Sequence, residues 1–313
     1  MLVRAYFALT VAAFSFATNW IVGRGLAEDV PPSAVAFWRW SFALLLLAPV
    51  AIGPLWRDRA IIAAHWRILV FLGVMGAGVF QVLVYWGLRY TTATNGALLN
   101  AALPILIAVF SAVLFRQRLA MRMVAGIGIS IVGVVLLIVR GDWNTLARLD
   151  FNIGDLLVFA AIAIWAIYSI GLKWRPKALS ERGFLGAIFV IGVVSTGMCA
   201  GVEWLAGYRG HYTPLNWLRL AWLGLFPSLI AYVCWNYGVA RIGAARAGVF
   251  SHLIPVFAAL LAITLLGERL HLYHLVGFAL VLGGIVLGNR GEIHQEIRDD
   301  VGAASRASLG RQE

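Results

Sequence analysis

The sequence predicts an all-α membrane protein, with ten transmembrane helices built as two inverted five-helix repeats around a central cavity. Three observations lead there. Of the 313 residues, 62% are hydrophobic and 12% charged, and the mean hydropathy is +0.87. Soluble domains run to roughly half apolar and a quarter charged. Too little polar surface remains here to cover a globule in water, so the natural solvent is the bilayer. Second, ten apolar runs are long enough to cross about 30 Å of hydrocarbon, which takes roughly 20 helical residues: 5–24, 33–52, 67–88, 93–115, 121–140, 154–174, 183–205, 216–238, 244–266 and 272–289. They are continuously apolar rather than alternating, which selects helices over a barrel. Third, the second half of the chain repeats the first.

The first run follows Arg4 and taken alone resembles a cleaved leader. It is kept as a helix because it recurs. Ala13-Phe14-Ser15-Phe16-Ala17 lies over Ile162-Ala163-Ile164-Trp165-Ala166 at an offset of 149, with Ile21 over Ile170 and Arg24 over Lys173. The second run opens on Pro31-Pro32-Ser33 and carries Arg39 a turn or two inside. Snorkelling, or bonding to carbonyls, gives that arginine a structural role. In the third, Gln81 and Tyr85 are spaced i, i+4 and share a face. The fourth holds NGALLNAALP, which puts Asn100 and the helix breaker Pro104 inside one span. Gly126 and Gly133 in the fifth, with Gly277, Gly283 and Gly284 in the tenth, allow close helix approach. The sixth carries Trp165 and Tyr168, the latter over Asn19 at 149. Cys199 and Cys234, in the seventh and eighth, lack CxxC spacing and read as packing residues. The eighth also holds Tyr232 and Asn236, again i, i+4, and the ninth holds Ser251, His252 and Pro255 within RAGVFSHLIP.

Shifting the first half by 151 puts Gln81 on Tyr232, Tyr85 on Asn236, Gly87 on Gly238, Asn100 on Ser251, Pro104 on Pro255, Gly126 on Gly277 and Gly133 on Gly284, without a gap. The predicted organisation is a first repeat at 1–140, a linker at 141–153, a second repeat at 154–290 and a disordered polar tail at 291–313. Five helices per repeat is an odd number, so the second copy enters the membrane from the opposite side. The charges agree. With the N-terminus inside, 17 of the 25 Lys and Arg fall in inside segments and 7 in outside loops, Arg39 lying within a span. Arg116/Arg118/Arg122 become Gly267/Arg269/Tyr273 in the second copy. Both termini are predicted cytoplasmic, in a bacterial inner (plasma) membrane. Trp56, Trp66, Trp143, Trp174, Trp204 and Trp217 fall near helix ends as an interfacial belt, while Trp86, Trp165, Trp222 and Trp235 lie deeper. The net charge of +11 is scattered between apolar runs, so no nucleic-acid partner is expected.

Inverted repeats of transmembrane helices are the architecture of alternating-access carriers, whose substrate sits near the midplane between the halves. The expected substrate pathway is Asn19, Gln81, Tyr85, Asn100, Trp165, Tyr168, Tyr232, Asn236, Ser251 and His252, because polar side chains at membrane depth turn inward. Pro104 and Pro255 are expected to be matched mid-helix bends. Every acidic residue lies in a loop, a terminus or near a helix end, Asp155 and Glu203 coming closest to membrane depth. Only His252 could relay a proton, so movement down a gradient is favoured over proton coupling. No Walker loop, metal-ligand cluster or nucleophile constellation is found. The expectation is therefore no catalysis, no metal and no cofactor; a membrane-embedded enzyme is the rival from another class.

The ten-helix plan, the paired blocks ending in RQRL and GERL, the Pro-Pro-Ser opening before Arg39 and the glycine-rich fifth and tenth helices resemble the EamA-type drug/metabolite transporter superfamily. The aromatic richness and the block YFALTVAAFSFATNW look most like the YddG-like amino-acid exporters. The family usually shows an acidic residue in both loop motifs; here Glu268 keeps it and Gln117 replaces it. The resemblance implies a monomeric exporter, with amino acids, including aromatic ones, as its small-molecule substrates and the lipid bilayer as its surroundings. The alternative is a multidrug exporter of flat organic cations held on aromatic rings, with possible proton coupling.

Overall fold

The computed structural model describes residues 2–91, 96, 99–116, 120–139, 144, 152–266 and 271–288, and among these all regular structure is helical. Eight helices are long and apolar enough to cross a membrane: α1 (Leu2–Arg24), α2 (Pro32–Arg57), α3 (Trp66–Tyr90), α5 (Met121–Val139), α6 (Ile153–Trp174), α7 (Glu181–Leu205), α8 (Pro214–Ile242) and α9 (Ala244–Leu261). Two further apolar helices among the described residues are shorter, α4 (Leu103–Phe115) and α10 (Leu272–Gly288). The chain is a multi-pass membrane protein. Its outward surface carries bare apolar side chains such as Phe7, Leu45, Val113 and Met198, which lipid tails solvate as readily as a protein core would. Gln117, Arg118, Trp143, Glu268, Arg269, most of the linker and the tail lie outside the described residues.

The packing has a pattern. α2 runs along α7 and α4 meets α9, while α1 packs on α8 and α9 just as α6 packs on α3 and α4. These contacts between the halves thus come in pairs with the partners exchanged. α5 and α10 cross in the same reciprocal way. A Cβ on Gly126 would lie 2.5 Å from the Gly284 carbonyl oxygen, and one on Gly133 would lie 2.8 Å from that of Gly277. Only glycine permits backbones this close. Gly283, expected to share this contact, instead meets nothing within 4 Å. Ser130 Oγ donates to the Val281 carbonyl at 3.2 Å, a bond between residues 151 apart.

Two helix pairs carry matched irregularities. α3 contains a π-helical turn at Val74–Val79 and α8 one at Gly224–Ile230. A shift of 151 carries the first onto the second. Pro227, without an N–H, sits in the α8 turn, as expected where a helix must widen. In α4 the helix proper begins only at Leu103, after a turn through Ala101 and Ala102, and Pro104 occupies its first turn. In α9 a 3-10 turn, Phe250–His252, precedes the restart at Leu253, and Pro255 again falls in the first turn. The expected mid-helix bends are therefore restarts. A first-turn residue has no intrahelical use for its N–H, so proline is accommodated there.

Candidate functional site: a small pocket beside Arg39 and a basic vestibule

Arg39 stands at the centre of the bundle with no exposed surface. Its Nη1 donates to Asn19 Oδ1 at 2.9 Å, Gln81 Oε1 at 2.7 Å and the Tyr85 hydroxyl at 2.8 Å, and its Nε donates to Ser228 Oγ at 2.7 Å. Tyr85 in turn donates to Asn19 Oδ1 at 2.8 Å. α1, α2, α3 and α8 are thereby tied to one guanidinium. The two π turns border this network. The α8 turn lets Ser228 Oγ donate back to the Leu223 carbonyl at 2.7 Å while accepting from Arg39. The α3 turn frees the Gly76 carbonyl, which accepts the Tyr232 hydroxyl. Arg39 was expected to be structural, and these bonds join four helices as that role requires; it also lines a pocket.

A small pocket of about 40 Å³ adjoins Arg39, room for about one water. Asn19, Gln81, Asn100, Trp165 and Ser251 line it together with Phe16, Phe80 and Trp235. Asn100 and Ser251 reach it from the two helix restarts. Phe16, Trp165 and Trp235 pack with centroids 5.5–6.2 Å apart, and Tyr232 stands 5.1 Å from Trp165. These rings close the pocket on one side. The remaining expected residues are placed otherwise. Tyr168 donates to Asn236 Oδ1 at 2.9 Å, and Asn236 faces a second, larger cavity. His252 is fully buried outside the pocket lining, and its Nε2 donates to the Ala101 carbonyl at 3.1 Å. Of the deep tryptophans, Trp222 is 40% exposed, and Trp86 pairs with Tyr208 at 6.1 Å away from the pocket.

The larger cavity, about 740 Å³, opens at one end of the bundle and is lined by Arg122, Lys173, Arg175, Lys177 and Arg246. Trp235 Nε1, donating to Ser169 Oγ at 3.1 Å, spans the partition between the two spaces. Lys173 Nζ lies 4.0 Å from the Phe115 ring centroid, and the Arg175 guanidinium 4.9 Å from that of Phe184. Burial lowers the Arg175 pKa, with Glu181 opposing the shift. Among the described residues, no acidic side chain lines either space. Sequence reasoning took these cations only as topology signals. Their convergence on one space shows in the tertiary contacts alone.

The opposite end is closed by cross-helix bonds. Glu203 of α7 accepts from Ser33 N at 3.0 Å and Ser33 Oγ at 2.7 Å, at the start of α2. Asp155 of α6 accepts the Thr91 hydroxyl beyond α3. Arg24 donates to the Leu88 carbonyl at 2.5 Å, and Asn216 donates to Asp29 at 2.9 Å. The two carboxylates nearest membrane depth are therefore latches.

A lipid-faced helical bundle with a polar centre, closed toward one end and open at the other, is the build of a membrane transporter. The comparisons agree. The EamA-like transporter family matches the chain twice, at residues 3–139 and 152–290. The chain belongs to that family. It is similar to the uncharacterized transporter YyaM of Bacillus subtilis, 26% identical and covering 82% of this chain and 83% of that one. It is also similar to a probable terminal-alkyne amino-acid exporter of Streptantibioticus cattleyicolor, 27% identical over 92% and 94%. One crystal structure superposes with a TM-score of 0.76 at 20% identity, over 95% of this chain and all of the other. At that identity the likeness speaks for the fold alone.

Proposed function

We propose that this protein exports amino acids, aromatic ones included, across a bacterial inner membrane by alternating access, moving them down their gradient as a monomer without catalysis. The carrying observation is a small pocket in which Asn19, Gln81, Asn100 and Ser251 stand beside Arg39 and aromatic rings, set between matching helix restarts, with cross-helix bonds at one end of the bundle and a cavity at the other. The reading treats all ten helices as membrane spans and the two family segments as inverted repeats. Exchanged-partner packing, with α5 and α10 meeting antiparallel at the same glycines, supports inversion. The vestibule end is taken as cytoplasmic with both termini, because its cations obey the positive-inside rule. A relative that is a probable amino-acid exporter supports the substrate class. The multidrug reading is weaker, since among the described residues no carboxylate lines either space to hold a cation.

The test is uptake of labelled phenylalanine, beside a cationic dye, into liposomes holding only this protein and no imposed gradient. Phenylalanine should enter and stop at equal concentrations, and the dye should not. Absence of any amino-acid uptake, or accumulation driven by a pH step, defeats the proposal.

A further inference from the structure

We infer that Arg39 anchors a substrate carboxylate, and that the cargo is a carboxylate with an apolar or aromatic body whose amino group is dispensable. This rests on the reading of the chain as a carrier of small metabolites. A guanidinium presents five N–H donors. Nε and Nη1 are engaged with Ser228, Asn19, Gln81 and Tyr85, all neutral. Nη2 has no hydrogen-bond partner, although Arg39 is fully buried and lines the pocket. A clamp between helices needs no charge, and a buried guanidinium without an anion is expensive at membrane depth. A carboxylate at the free Nη2 supplies the missing charge and accepts a charge-assisted hydrogen bond there. The rings of Phe16, Phe80, Trp165 and Trp235 line the same pocket, and they must part from their packing in this structure before an apolar body can lie among them.

The vestibule points the same way independently. Five cations line it without an acidic neighbour in its wall, and a cleft of one sign in low-dielectric walls concentrates the opposite charge and repels its own. Among the described residues an ammonium group meets no carboxylate in either space, so it adds little to recognition.

The experiment compares phenylalanine, 3-phenylpropionate and phenethylamine, one body with three charge patterns, on the full-length protein. Binding is read by tryptophan fluorescence in detergent, and uptake into liposomes is read with protein-free vesicles subtracted. Phenylalanine and 3-phenylpropionate should bind within about tenfold of each other, a difference of less than roughly 1.4 kcal/mol, and both should be transported. Phenethylamine should do neither. Arg39→Gln, checked for folding by thermal melting, should lose carboxylate binding by at least tenfold. Binding of phenethylamine as tight as that of 3-phenylpropionate overturns the inference, as does undiminished carboxylate binding by a folded Arg39→Gln. If that variant does not fold, the wild-type series decides. Phenylalanine transported without 3-phenylpropionate sinks the inference but leaves amino-acid export standing. The converse result sinks amino-acid export and keeps the carboxylate anchor. Transport of none sinks both.

Discussion

At one end of the bundle, Glu203, Asp155, Arg24 and Asp29 each join one helix or loop to another through hydrogen bonds, and the walls meet. At the other end Arg122, Lys173, Arg175, Lys177 and Arg246 stand around a cavity of about 740 Å³. Acceptors facing donors pull helices together; cations facing cations keep them apart. The closed end thus spends its carboxylates on latches, and the open end has none in the cavity wall. In the proposed alternating-access cycle this arrangement is one of two poses, with the better-bonded end shut.

The largest expected effect comes from breaking the latches. Glu203→Ala leaves the Ser33 N–H unpaired at the start of α2, a loss of about 1–3 kcal/mol when buried. Combined with Asp155→Ala, it should shift the population toward opening at that end. The measurement uses Val84→Cys, on the pocket wall, in a background with Cys199→Ser and Cys234→Ser. Labelling by an impermeant maleimide applied from the latch side should rise about tenfold or more, each tenfold corresponding to roughly 1.4 kcal/mol. Unchanged labelling would mean that packing, not these carboxylates, shuts the end.

How much of this was legible beforehand follows from the physics. The apolar spans were, because hydrophobic run length is a local property. The pairing of Gly126 and Gly133 with α10 was legible because duplication writes one spacing twice. Asn19, Gln81, Asn100, Trp165 and Ser251, expected along a substrate pathway, line one small pocket, as inward-turning groups at depth do. His252 satisfied the same rule and faces a backbone carbonyl instead, since sequence does not say which interior a buried group meets. Arg39 was noticed, but a charge without an anion becomes meaningful only once its neighbours are known to be neutral. The π turns were missed. Gly76 and Pro227 fit an ordinary helix or a widened one, and side chains distant in sequence decide between them.

A smaller effect is expected at the open end, where Asp58 at the end of α2 accepts from Ser180 N at 3.1 Å and Ser180 Oγ at 2.5 Å. The Ser180 hydroxyl, then Arg57, hold its carboxyl below the ordinary value of 3.8. A depressed pKa contributes stability above the unfolded value and loses it as the pH falls through the folded one. Thermal stability should therefore decline on acidification below about pH 4, the ordinary aspartate range. Asp58→Asn should lower Tm at neutral pH by about 2 °C and flatten that acid limb. An unchanged acid limb in Asp58→Asn would place the pH sensitivity elsewhere.

The smallest effect belongs between the ends, at Pro104 and Pro255. Each begins a helix after a break, so alanine removes no strain, and stability should change by less than about 1 kcal/mol in either direction. Alanine does restore an N–H, however, which lets helix propagate backward into the turn at Ala101–Ala102 or into Phe250–His252. That would draw the Ala101 carbonyl away from His252, a bond joining residues 151 apart. If those turns are where the halves flex between the two closed ends, each substitution should cut transport per folded molecule about twofold, some 0.4 kcal/mol, and the double variant should lose more than either. Membrane abundance and melting are read on the same samples. Full activity in a stable double variant would mean that the ends exchange without these turns changing shape, and the hinge would then have to lie in the π turns of α3 and α8.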